Sequence, residues 1–549
     1  MARARAWDFI VAGGGTAGCI LALKLAADPA ARVLLVEAGP RRPHPLSAVP
    51  LAFPLLGAAA AMNWSYRGDN GRGGVLALRM GRGLGGSSLV NGMVWSRGHP
   101  ADYDGWAAGG APGWSFAEVL PWFRDAERYW RGADDWHGAA GQIAVTRAAG
   151  PFALAEPLRR IGAARGIAAI DDLAAPPFEG MAPADFAIDR RGRRSGPGAA
   201  CSARAVPANL RVLTGSRVAR ILFDGARAAG IELATRRGPI AHMAGQEVIL
   251  CAGAYQSPQL LMISGLGDGA ALRAAGVAVR CELAGVGANL QNHVTVTTHH
   301  ALAAPGAFPA RLRADRLARA ALGWALGRGG TLGQVPLAQV AQFRSAPTLD
   351  RADVQALYTE GSFADRPWFP LVRPHGGHRM MITHALLRPE ARGRVTLASA
   401  DPLAAPRVGY DPVGEPADVA RLGAALAIQR EIVGELEREG LLGPADARAP
   451  GIPAGPLEPF VRRVAGVSQH PVGTCAMGTG REAVVDPRLR VHGVERLRVV
   501  DASVAPTIPG ANTYAMTAMI AGRAAALIAA DHGLCPSSFP TARQVHAVS

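Results

Sequence analysis

The stretch that decides the fold lies near the N-terminus, at residues 8–37, and reads DFIVAGGGTAGCILALKLAADPAARVLLVE. Its first five residues, Asp8 to Ala12, form a short apolar run of the kind found in buried parallel strands. A glycine-rich turn follows at once, and residues 19–27 then space their apolar side chains as a helix does. The apolar run Arg32–Glu37 predicts a second strand. Strand, turn, helix and strand in this order predict a βαβ unit and a parallel sheet.

The turn carries the spacing of a dinucleotide-binding fingerprint, Gly13-x-Gly15-x-x-Gly18. The first glycine permits a tight turn, the second lets the backbone approach a pyrophosphate, and the third lets the helix pack close to the strand. The helix N-terminus then presents its positive dipole end to the phosphates. Glu37 ends the second strand, where a carboxylate accepts ribose hydroxyls. These residues predict a dinucleotide cofactor and leave NAD and FAD open.

Composition and charge narrow the classes of function. The 549 residues carry a net charge of +15, yet almost every base is a scattered arginine, and Lys24 is the one lysine. Scattered arginine is typical of a solvated surface, so we expect no nucleic-acid partner. The six cysteines form no CxxC pair and fit no zinc-site spacing, which predicts reduced thiols, no metal and a cytoplasmic protein. The sequence shows no membrane-spanning apolar run and no secretory signal, and it leaves the oligomeric state open.

Hydrophobic patterns predict the later elements. Residues 75–110 are glycine-rich and predict irregular structure, whereas the alternation across 340–410 predicts antiparallel strands with one solvated face. Residues 417–440 and 513–530 predict helices. The dipeptide Ser257-Pro258 reads as the start of a helix, with serine as the cap and proline in the first turn.

Four further segments resemble signatures of the glucose–methanol–choline (GMC) oxidoreductases. They are GRGLGGSSLVNGMV at 81–94, GAYQSPQLLMISGLG at 253–267, HPVGTCAMG at 470–478 and PGANT at 509–513. The resemblance extends from about residue 7 to 530. It implies an α/β FAD-binding domain, Rossmann-like and of the glutathione-reductase type, interleaved with an α+β substrate domain built on an antiparallel sheet. The implied FAD-binding segments are 1–155, 201–295 and 466–549, and the implied substrate-domain segments are 156–200 and 296–465.

The resemblance also implies which residues contact FAD, and it selects FAD over NAD. The implied set comprises the glycine fingerprint with its helix start, the 81–94 loop, and short segments near residues 64, 218, 252 and 501. Its members are Gly13, Gly15, Thr16, Ala17, Gly18, Glu37, Trp64, Gly86, Ser87, Asn91, Gly92, Met93, Val94, Val218, Ala252, Asp501, Ala502, Asn512 and Thr513. Asn91, Asp501 and Asn512 can equally be turn or capping residues, and Val218 and Ala252 can be plain core.

Oxidation of an alcohol removes a proton from the hydroxyl and a hydride from the carbon. His470 is the implied base, since histidine titrates near neutral pH. Asn512 cannot act as a base, but its amide can donate to a developing alkoxide, as in an oxyanion hole. This pair implies oxidation of an alcohol to an aldehyde, with electrons passed to an acceptor other than oxygen, such as a quinone. An oxidase that forms hydrogen peroxide and an FAD-containing hydroxynitrile lyase are the alternatives.

Two departures from the family refine these expectations. Leu89 and Val90 occupy the stretch where some relatives tether FAD through a histidine, so we expect non-covalent FAD. Choline-using relatives carry a glutamate in the substrate region, and the comparable stretch, Leu337–Gln342, holds no acid. We therefore expect a neutral primary alcohol, aliphatic or benzylic, rather than choline.

Residues 311–328 predict an arginine-rich amphipathic helix. Arg313, Arg316 and Arg319 recur on one side, with Leu317, Ala321 and Trp324 on another. Such a helix can lie on an anionic membrane surface, which would suit a protein that passes electrons to a quinone. It can equally pack its apolar stripe on its own domain, so peripheral membrane contact stays open.

Overall fold

The computed structural model describes residues 6–57, 59–147, 152–203, 206–373 and 375–535. The first five residues, which enter the expectation about a secretory signal, lie outside these ranges. Along the described chain the strands are β1 (Trp7–Ala12), β2 (Val33–Val36), β3 (Asn63–Asp69), β4 (Val75–Gly81), β5 (Glu127–Tyr129), β6 (Ile143–Arg147), β7 (Gly180–Pro183), β8 (Asp185–Phe186), β9 (Leu210–Leu213), β10 (Arg217–Asp224), β11 (Arg227–Ala234), β12 (Ile240–Leu250), β13 (Leu266–Gly267), β14 (Cys281–Glu282), β15 (Val294–Ala301), β16 (Leu337–Phe343), β17 (Val354–Glu360), β18 (Arg379–Leu386), β19 (Arg394–Thr396), β20 (Arg407–Gly409), β21 (Gly466–Val467) and β22 (Leu497–Val499). The α-helices are α1 (Thr16–Leu25), α2 (Phe53–Leu56), α3 (Pro100–Ala108), α4 (Phe116–Ala126), α5 (Ala155–Ala163), α6 (Gly198–Ser202), α7 (Gly253–Ile263), α8 (Gly269–Ala274), α9 (Ala307–Arg311), α10 (Ala314–Ala325), α11 (Pro416–Arg438), α12 (Leu457–Val464) and α13 (Thr513–His532).

The first sheet is built around the N-terminal βαβ unit, which the structure confirms as β1, α1 and β2. Strand β1 lies between β12 and β2, parallel to both, and β2 pairs in parallel with β9. The C-terminal part of β12 also pairs in parallel with β22, whereas its N-terminal part pairs antiparallel with β11. The order is β10–β11–β12–β1–β2–β9. Because the parallel strands are buried on both faces, they read as continuous apolar runs.

The second sheet is antiparallel and draws on the later part of the chain. Its order is β21–β15–β18–β17–β16–β7, so the antiparallel strands predicted across 340–410 are confirmed as part of a larger sheet. The solvated face predicted for them is wrong, because successive residues of β17 are buried on both faces of the sheet. Helix α11 packs on one face, where its apolar side chains are buried. The other face includes Thr297 opposite Thr383, whose hydroxyl oxygens lie 3.1 Å apart.

The irregular structure expected over 75–110 is wrong in two places. Strand β4 pairs with β3 as a hairpin, and helix α3 begins at Pro100, capped by the side chain of His99. The glycines that suggested irregularity lie between these elements, at Gly83–Gly86 and Gly98, where the chain turns with positive φ. Their turns connect regular elements and do not replace them.

The helix start expected at Ser257-Pro258 is also wrong, because α7 begins earlier, at Gly253. Pro258 therefore lies inside the helix, where it has no N–H to donate to the carbonyl of Ala254. The hydroxyl of Thr474 donates to that carbonyl instead, at 2.6 Å. The distant HPVGT segment thus repairs the hydrogen bond that Pro258 leaves open.

The C-terminal helix α13 forms part of the core, packed against α1 and α4. It is long and apolar enough to cross a membrane, but 67% of its most apolar window is buried inside the molecule. It is the one such helix among the described residues. Burial of this kind is typical of a core helix.

The helix expected at 311–328 is shorter, at Ala314–Ala325, and buries none of its described residues fully. Arg313 precedes it and pairs with Asp315 at 2.6 Å. Trp324 donates to the carbonyl of Gly192 at 2.6 Å, and the guanidinium of Arg193 lies 4.7 Å from its ring. The tryptophan therefore contacts its own molecule, and the exposed apolar side chains here are Leu322 and Leu326.

Candidate active site

One long cleft lies outside the carboxyl ends of the parallel strands, where ligands bind in open α/β sheets. Its empty space amounts to about 1550 Å³, counted with the open solvent at its mouth. This cleft is lined by all but one of the residues expected to contact a cofactor, and His470 lines it too. These lining residues are Gly13, Gly15, Thr16, Ala17, Glu37, Trp64, Gly86, Ser87, Asn91, Gly92, Met93, Val94, Val218, Ala252, Asp501, Ala502, Asn512 and Thr513.

Gly18 is the exception, and its position explains why. A Cβ built on Gly18 would lie 1.9 Å from the carbonyl oxygen of Gly13, inside the contact between α1 and the turn. A Cβ on Gly15 would meet only the carbonyl oxygen of Cys251, at 3.8 Å, and would otherwise point into open space. Gly18 thus serves helix packing, whereas Gly15 keeps the cleft free.

The second glycine loop closes on the first. The N–H of Gly85 donates to the carbonyl of Gly14 at 2.8 Å. Gly86 has a φ of +55°, and a Cβ there would lie 2.7 Å from Cα of Gly15. Position 86 therefore requires glycine, both because a side chain would clash and because φ is positive. The two loops form one continuous wall of the cleft.

The Glu37 carboxylate joins both loops to the end of β2. One oxygen accepts from the N–H of Gly14 at 2.8 Å, and the other from those of Gly39 and Gly83 at 2.7 and 3.0 Å. Burial raises the pKa of Glu37, and these three donors offset part of that rise. A carboxylate has about four acceptor positions, so Glu37 keeps capacity for a further donor from the cleft.

Donors face the middle of the cleft. Helix α1 begins there with no side chain capping its first turn, so its N-terminal N–H groups remain available. The amide oxygen of Asn91 accepts from Arg194 at 2.6 Å and from the N–H of Met93 at 3.2 Å. These bonds fix the amide orientation and leave its NH₂ group as the donor.

Asp501 ties β22 to the start of α7. Its carboxylate accepts from the N–H of Gly253 at 2.8 Å, from the hydroxyl of Ser257 at 2.5 Å, and from the N–H of Ser503 at 2.8 Å. Asp501 is thus a capping residue as well as a lining residue, and its carboxylate is engaged by the protein.

His470 and Asn512 meet at one end of the cleft. The amide nitrogen of Asn512 lies 3.4 Å from Nε2 of His470, and Nδ1 of His470 lies 3.1 Å from Nδ1 of His293. The backbone N–H of His470 donates to the side-chain oxygen of Asn292 at 2.9 Å. Loss of hydration lowers the pKa of His470 to about 4, so its ring is neutral at pH 7.

The loop that carries Asn512 is held by side chains from distant segments. Gln291 accepts from the N–H of Ile508 at 3.1 Å, and His293 lies 3.1 Å from the carbonyl of Pro509. Two further contacts hold Gly510. Its N–H donates to Asp102 at 2.7 Å, and its carbonyl accepts from Gln342 at 3.1 Å. The structure therefore fixes the loop before any substrate arrives.

The sequence predicted none of these supporting residues. A signal existed in ANLQNH at 288–293, since Gln291, Asn292 and His293 are polar and directly precede an apolar strand. All three are buried, and buried polar side chains need partners. Asp102 and Gln342 carry no such signal, because their contacts depend on the tertiary fold.

Comparison with known proteins identifies the family. Residues 7–295 and 389–521 match the two family profiles described as GMC oxidoreductase. The chain belongs to the GMC oxidoreductase family. Among its relatives, the oxygen-dependent choline dehydrogenase of Paraburkholderia phymatum is 34% identical over 98% of this chain and 95% of its own length. The enzyme of the same name from Pseudomonas aeruginosa is 36% identical over 94% of each chain.

Solved GMC structures confirm the α/β FAD-binding domain with a sheet-containing substrate domain. Pyridoxine 4-oxidase from Mesorbium loti superposes with a TM-score of 0.81 at 29% identity, covering 95% of this chain and 98% of its own. Formate oxidase superposes with a TM-score of 0.87 at 24% identity, covering 97% and 100%, and shows the fold alone. This GMC protein is an FAD-dependent oxidoreductase.

The residues of the cleft fit FAD. The two glycine loops leave an open wall that a Cβ on Gly15 would obstruct, and the uncapped start of α1 suits a pyrophosphate. At the other end, the side-chain oxygen of Asn512 is buried without a partner among the described residues. The cleft thus joins the glycine-loop wall and the uncapped start of α1 to the His470–Asn512 pair.

Proposed function

We propose that this GMC oxidoreductase oxidises a neutral primary alcohol, aliphatic or benzylic, to its aldehyde, with His470 as the base. The observation that carries the proposal is the pairing of Nε2 of His470 with the Asn512 amide, 3.4 Å apart at the end of the cleft. A hydroxyl beside the pair, within hydrogen-bonding distance of both nitrogens, would give its proton to Nε2 and accept a hydrogen bond from the amide. FAD, when bound, supplies the redox chemistry by accepting the hydride from the alcohol carbon.

The state of His470 supports the role of base. Its pKa is lowered to about 4, so the ring is unprotonated and ready to accept a proton at neutral pH. Asn512 has no group that takes a proton, but its NH₂ stabilises negative charge on the substrate oxygen. Gln291, His293, Asp102 and Gln342 hold the loop in place, which reduces the reorganisation needed during proton transfer.

A neutral substrate is favoured by the placement of acids. Among the described residues that line the cleft, the acids are Glu37 and Asp501, and backbone N–H groups already engage both. Asp102 lies behind the Asn512 loop, bonded to Gly510 and 3.3 Å from Arg351. Among the described residues, none of these three carboxylates hydrogen-bonds His470 or Asn512, so none is placed by such a contact to face a quaternary ammonium group beside that pair. Choline is the second candidate, because relatives at 34–36% identity are named for it.

We also propose the interleaved domains expected from the sequence, with segments 1–155, 201–295 and 466–549 binding FAD and segments 156–200 and 296–465 forming the substrate domain. The first sheet takes its strands from 7–36, 210–250 and 497–499, and the second takes its from 180–183, 294–386 and 466–467. This alternation supports an interleaved pair of domains. Strands β15 and β21 lie at the two junctions, near residues 295 and 466.

We further propose a non-oxygen electron acceptor, such as a quinone, in a cytoplasmic protein, and we keep peripheral membrane contact through α10 as a hypothesis to be tested. The exposed Leu322 and Leu326, with Arg316 and Arg319 nearby, support that contact. Sedimentation with anionic vesicles at low and high salt tests it. Binding that is absent at low salt, or unchanged when Arg313, Arg316 and Arg319 become Gln, contradicts membrane contact.

An anaerobic screen of alcohols tests the reaction class and the substrate together. Loss of the flavin's visible absorbance on adding a neutral primary alcohol supports the proposal, and strongest bleaching by choline would contradict the substrate assignment. Cleavage of a cyanohydrin with the flavin still oxidised would identify a lyase. Air is then readmitted: rapid re-oxidation with formation of peroxide would identify an oxidase, whereas slow re-oxidation supports another acceptor.

A further inference from the structure

His293 contacts His470 and the loop that carries Asn512, and it is not among the residues that line the cleft. It directly precedes β15, and 1% of its surface is exposed. Its Nδ1 lies 3.1 Å from Nδ1 of His470, and its Nε2 lies 3.1 Å from the carbonyl oxygen of Pro509. The two imidazole rings are perpendicular, with centroids 5.3 Å apart, so they meet edge to edge rather than by stacking.

These partners determine where the protons lie. A carbonyl oxygen can only accept, so Nε2 of His293 must carry the proton that it donates to Pro509. A neutral imidazole carries one proton, so Nδ1 of His293 is then an acceptor. Its partner, Nδ1 of His470, must donate across the 3.1 Å separation. Nε2 of His470 is left with a lone pair, directed at the Asn512 amide.

We propose that His293 is a positioning residue that fixes the tautomer of His470, with the proton on Nδ1 and the basic lone pair on Nε2. The inference rests on the proposed role of His470 as the base, and it explains why Nε2 of His470 can take a proton. With the opposite tautomer, Nε2 would carry a hydrogen and could not accept the alcohol proton.

The hydrogen bonds from His470 to His293 and from His293 to Pro509 require both imidazole rings to be neutral, and the surroundings of the rings favour the neutral form. Burial and the neighbouring His470 together lower the pKa of His293 to about 3, and the carbonyls of Pro509 and Leu387 offset part of the fall. On the far side of the Asn512 loop, Asp102 bonds Gly510 and pairs with Arg351. The groups that touch His293 are therefore one neutral imidazole and backbone carbonyls, and none of them compels a second proton.

The alternative arrangements are unfavourable. If Nδ1 of His293 carried its proton, Nε2 would turn a lone pair toward the Pro509 carbonyl at 3.1 Å, leaving two buried acceptors facing each other. If both nitrogens were protonated, a cation would be buried with no carboxylate beside it. The Pro509 carbonyl therefore acts on His470 through His293.

Nitrogen-15 NMR of the holoenzyme labelled at histidine tests the assignment directly, with His470→Gln identifying the resonances of His470. We expect a protonated Nδ1 and an unprotonated Nε2 in the wild type. A wild-type spectrum with the proton on Nε2 of His470 overturns the proposal, and this test needs no His293 variant to fold.

Two variants extend the test to catalysis. His293→Leu removes the acceptor, whereas His293→Asn offers a side-chain oxygen near the position of Nδ1. We expect the rate of flavin reduction to fall about 10- to 100-fold in His293→Leu at unchanged FAD content, less than on loss of the base itself. His293→Asn should recover most of that loss. The fraction of His470 with its proton on Nδ1 should likewise fall in His293→Leu and recover in His293→Asn.

The outcomes separate this inference from the proposed function. If His293→Leu keeps the wild-type tautomer and rate while His470→Ala loses activity, the base stands and the inference fails. An equal loss in His293→Leu and His293→Asn, with the wild-type tautomer kept in both, indicates a merely structural role and also overturns the inference. If His470→Ala keeps full activity, the proposed function fails, whatever the tautomer.

Discussion

Replacing Gly15 or Gly18 by alanine separates the two tasks of the glycine fingerprint. Gly15 has a φ of −68°, which alanine adopts readily, and a Cβ there meets only the Cys251 carbonyl oxygen at 3.8 Å. The folded apoprotein therefore has room for Gly15→Ala. A Cβ on Gly18 would lie 1.9 Å from the Gly13 carbonyl oxygen, so Gly18→Ala must push α1 away from the turn.

The expected magnitudes differ accordingly. In Gly15→Ala the methyl group projects into the cleft, and we expect loss of about one charge-assisted hydrogen bond to the pyrophosphate, worth roughly 1.5–3 kcal/mol. That corresponds to about 10- to 150-fold weaker FAD binding, with the stability of the apoprotein unchanged. Gly18→Ala should cost the apoprotein about 1–3 kcal/mol through overpacking.

The assay is titration of apoprotein with FAD, followed by quenching of flavin fluorescence, alongside denaturant unfolding of each apoprotein. Wild-type FAD affinity in Gly15→Ala would refute the placement of the pyrophosphate at this turn. A destabilised Gly15→Ala beside a normally stable Gly18→Ala would show that the two glycines have the opposite tasks.

The remaining predictions concern Thr474, the protonation of His470 and the attachment of FAD. Thr474→Val should destabilise the protein by about 1–3 kcal/mol, because the buried Ala254 carbonyl loses its donor, and Thr474→Ser should restore most of it; denaturant unfolding measures both. Because the pKa of His470 is lowered to about 4 in the folded protein, kcat/KM should fall as pH drops through about 4, and a pH–rate profile flat down to pH 3 would contradict the base. The same shift removes stability as pH falls from about 6.5 toward 4, since the unfolded chain binds the proton first. Acid precipitation should release FAD into the supernatant, and yellow protein in the pellet would contradict non-covalent binding.

The sequence predicted the parts of the fold and site that are contiguous along the chain. These parts are the βαβ unit with its glycine turn and the HPVGT and PGANT segments, which carry His470 and Asn512. Each can be recognised from the spacing of residues that are close together in the sequence. Residues 75–110 were harder to predict, because the turn glycines there mask a hairpin strand and a short helix. Pro258 was misplaced because its missing hydrogen bond is repaired by Thr474, which is distant in sequence.

The supporting contacts of the site could not be predicted, because they join residues far apart. His293 and His470 are 177 positions apart, Gln342 and Gly510 are 168, and Asp102 and Gly510 are 408. No local pattern encodes such pairs. The tertiary fold alone shows that His293 faces His470, and that the loop of Asn512 is held from several sides.

The most direct test of the central claim is the anaerobic rate of flavin reduction by a neutral primary alcohol, compared between the wild type and His470→Ala by rapid mixing. The two proteins are matched for FAD content, since the alanine variant should keep its cofactor. We expect reduction to slow by about two to four orders of magnitude, the range for loss of a general base. A rate within about threefold of the wild type would show that His470 does not take the proton, and would contradict the account.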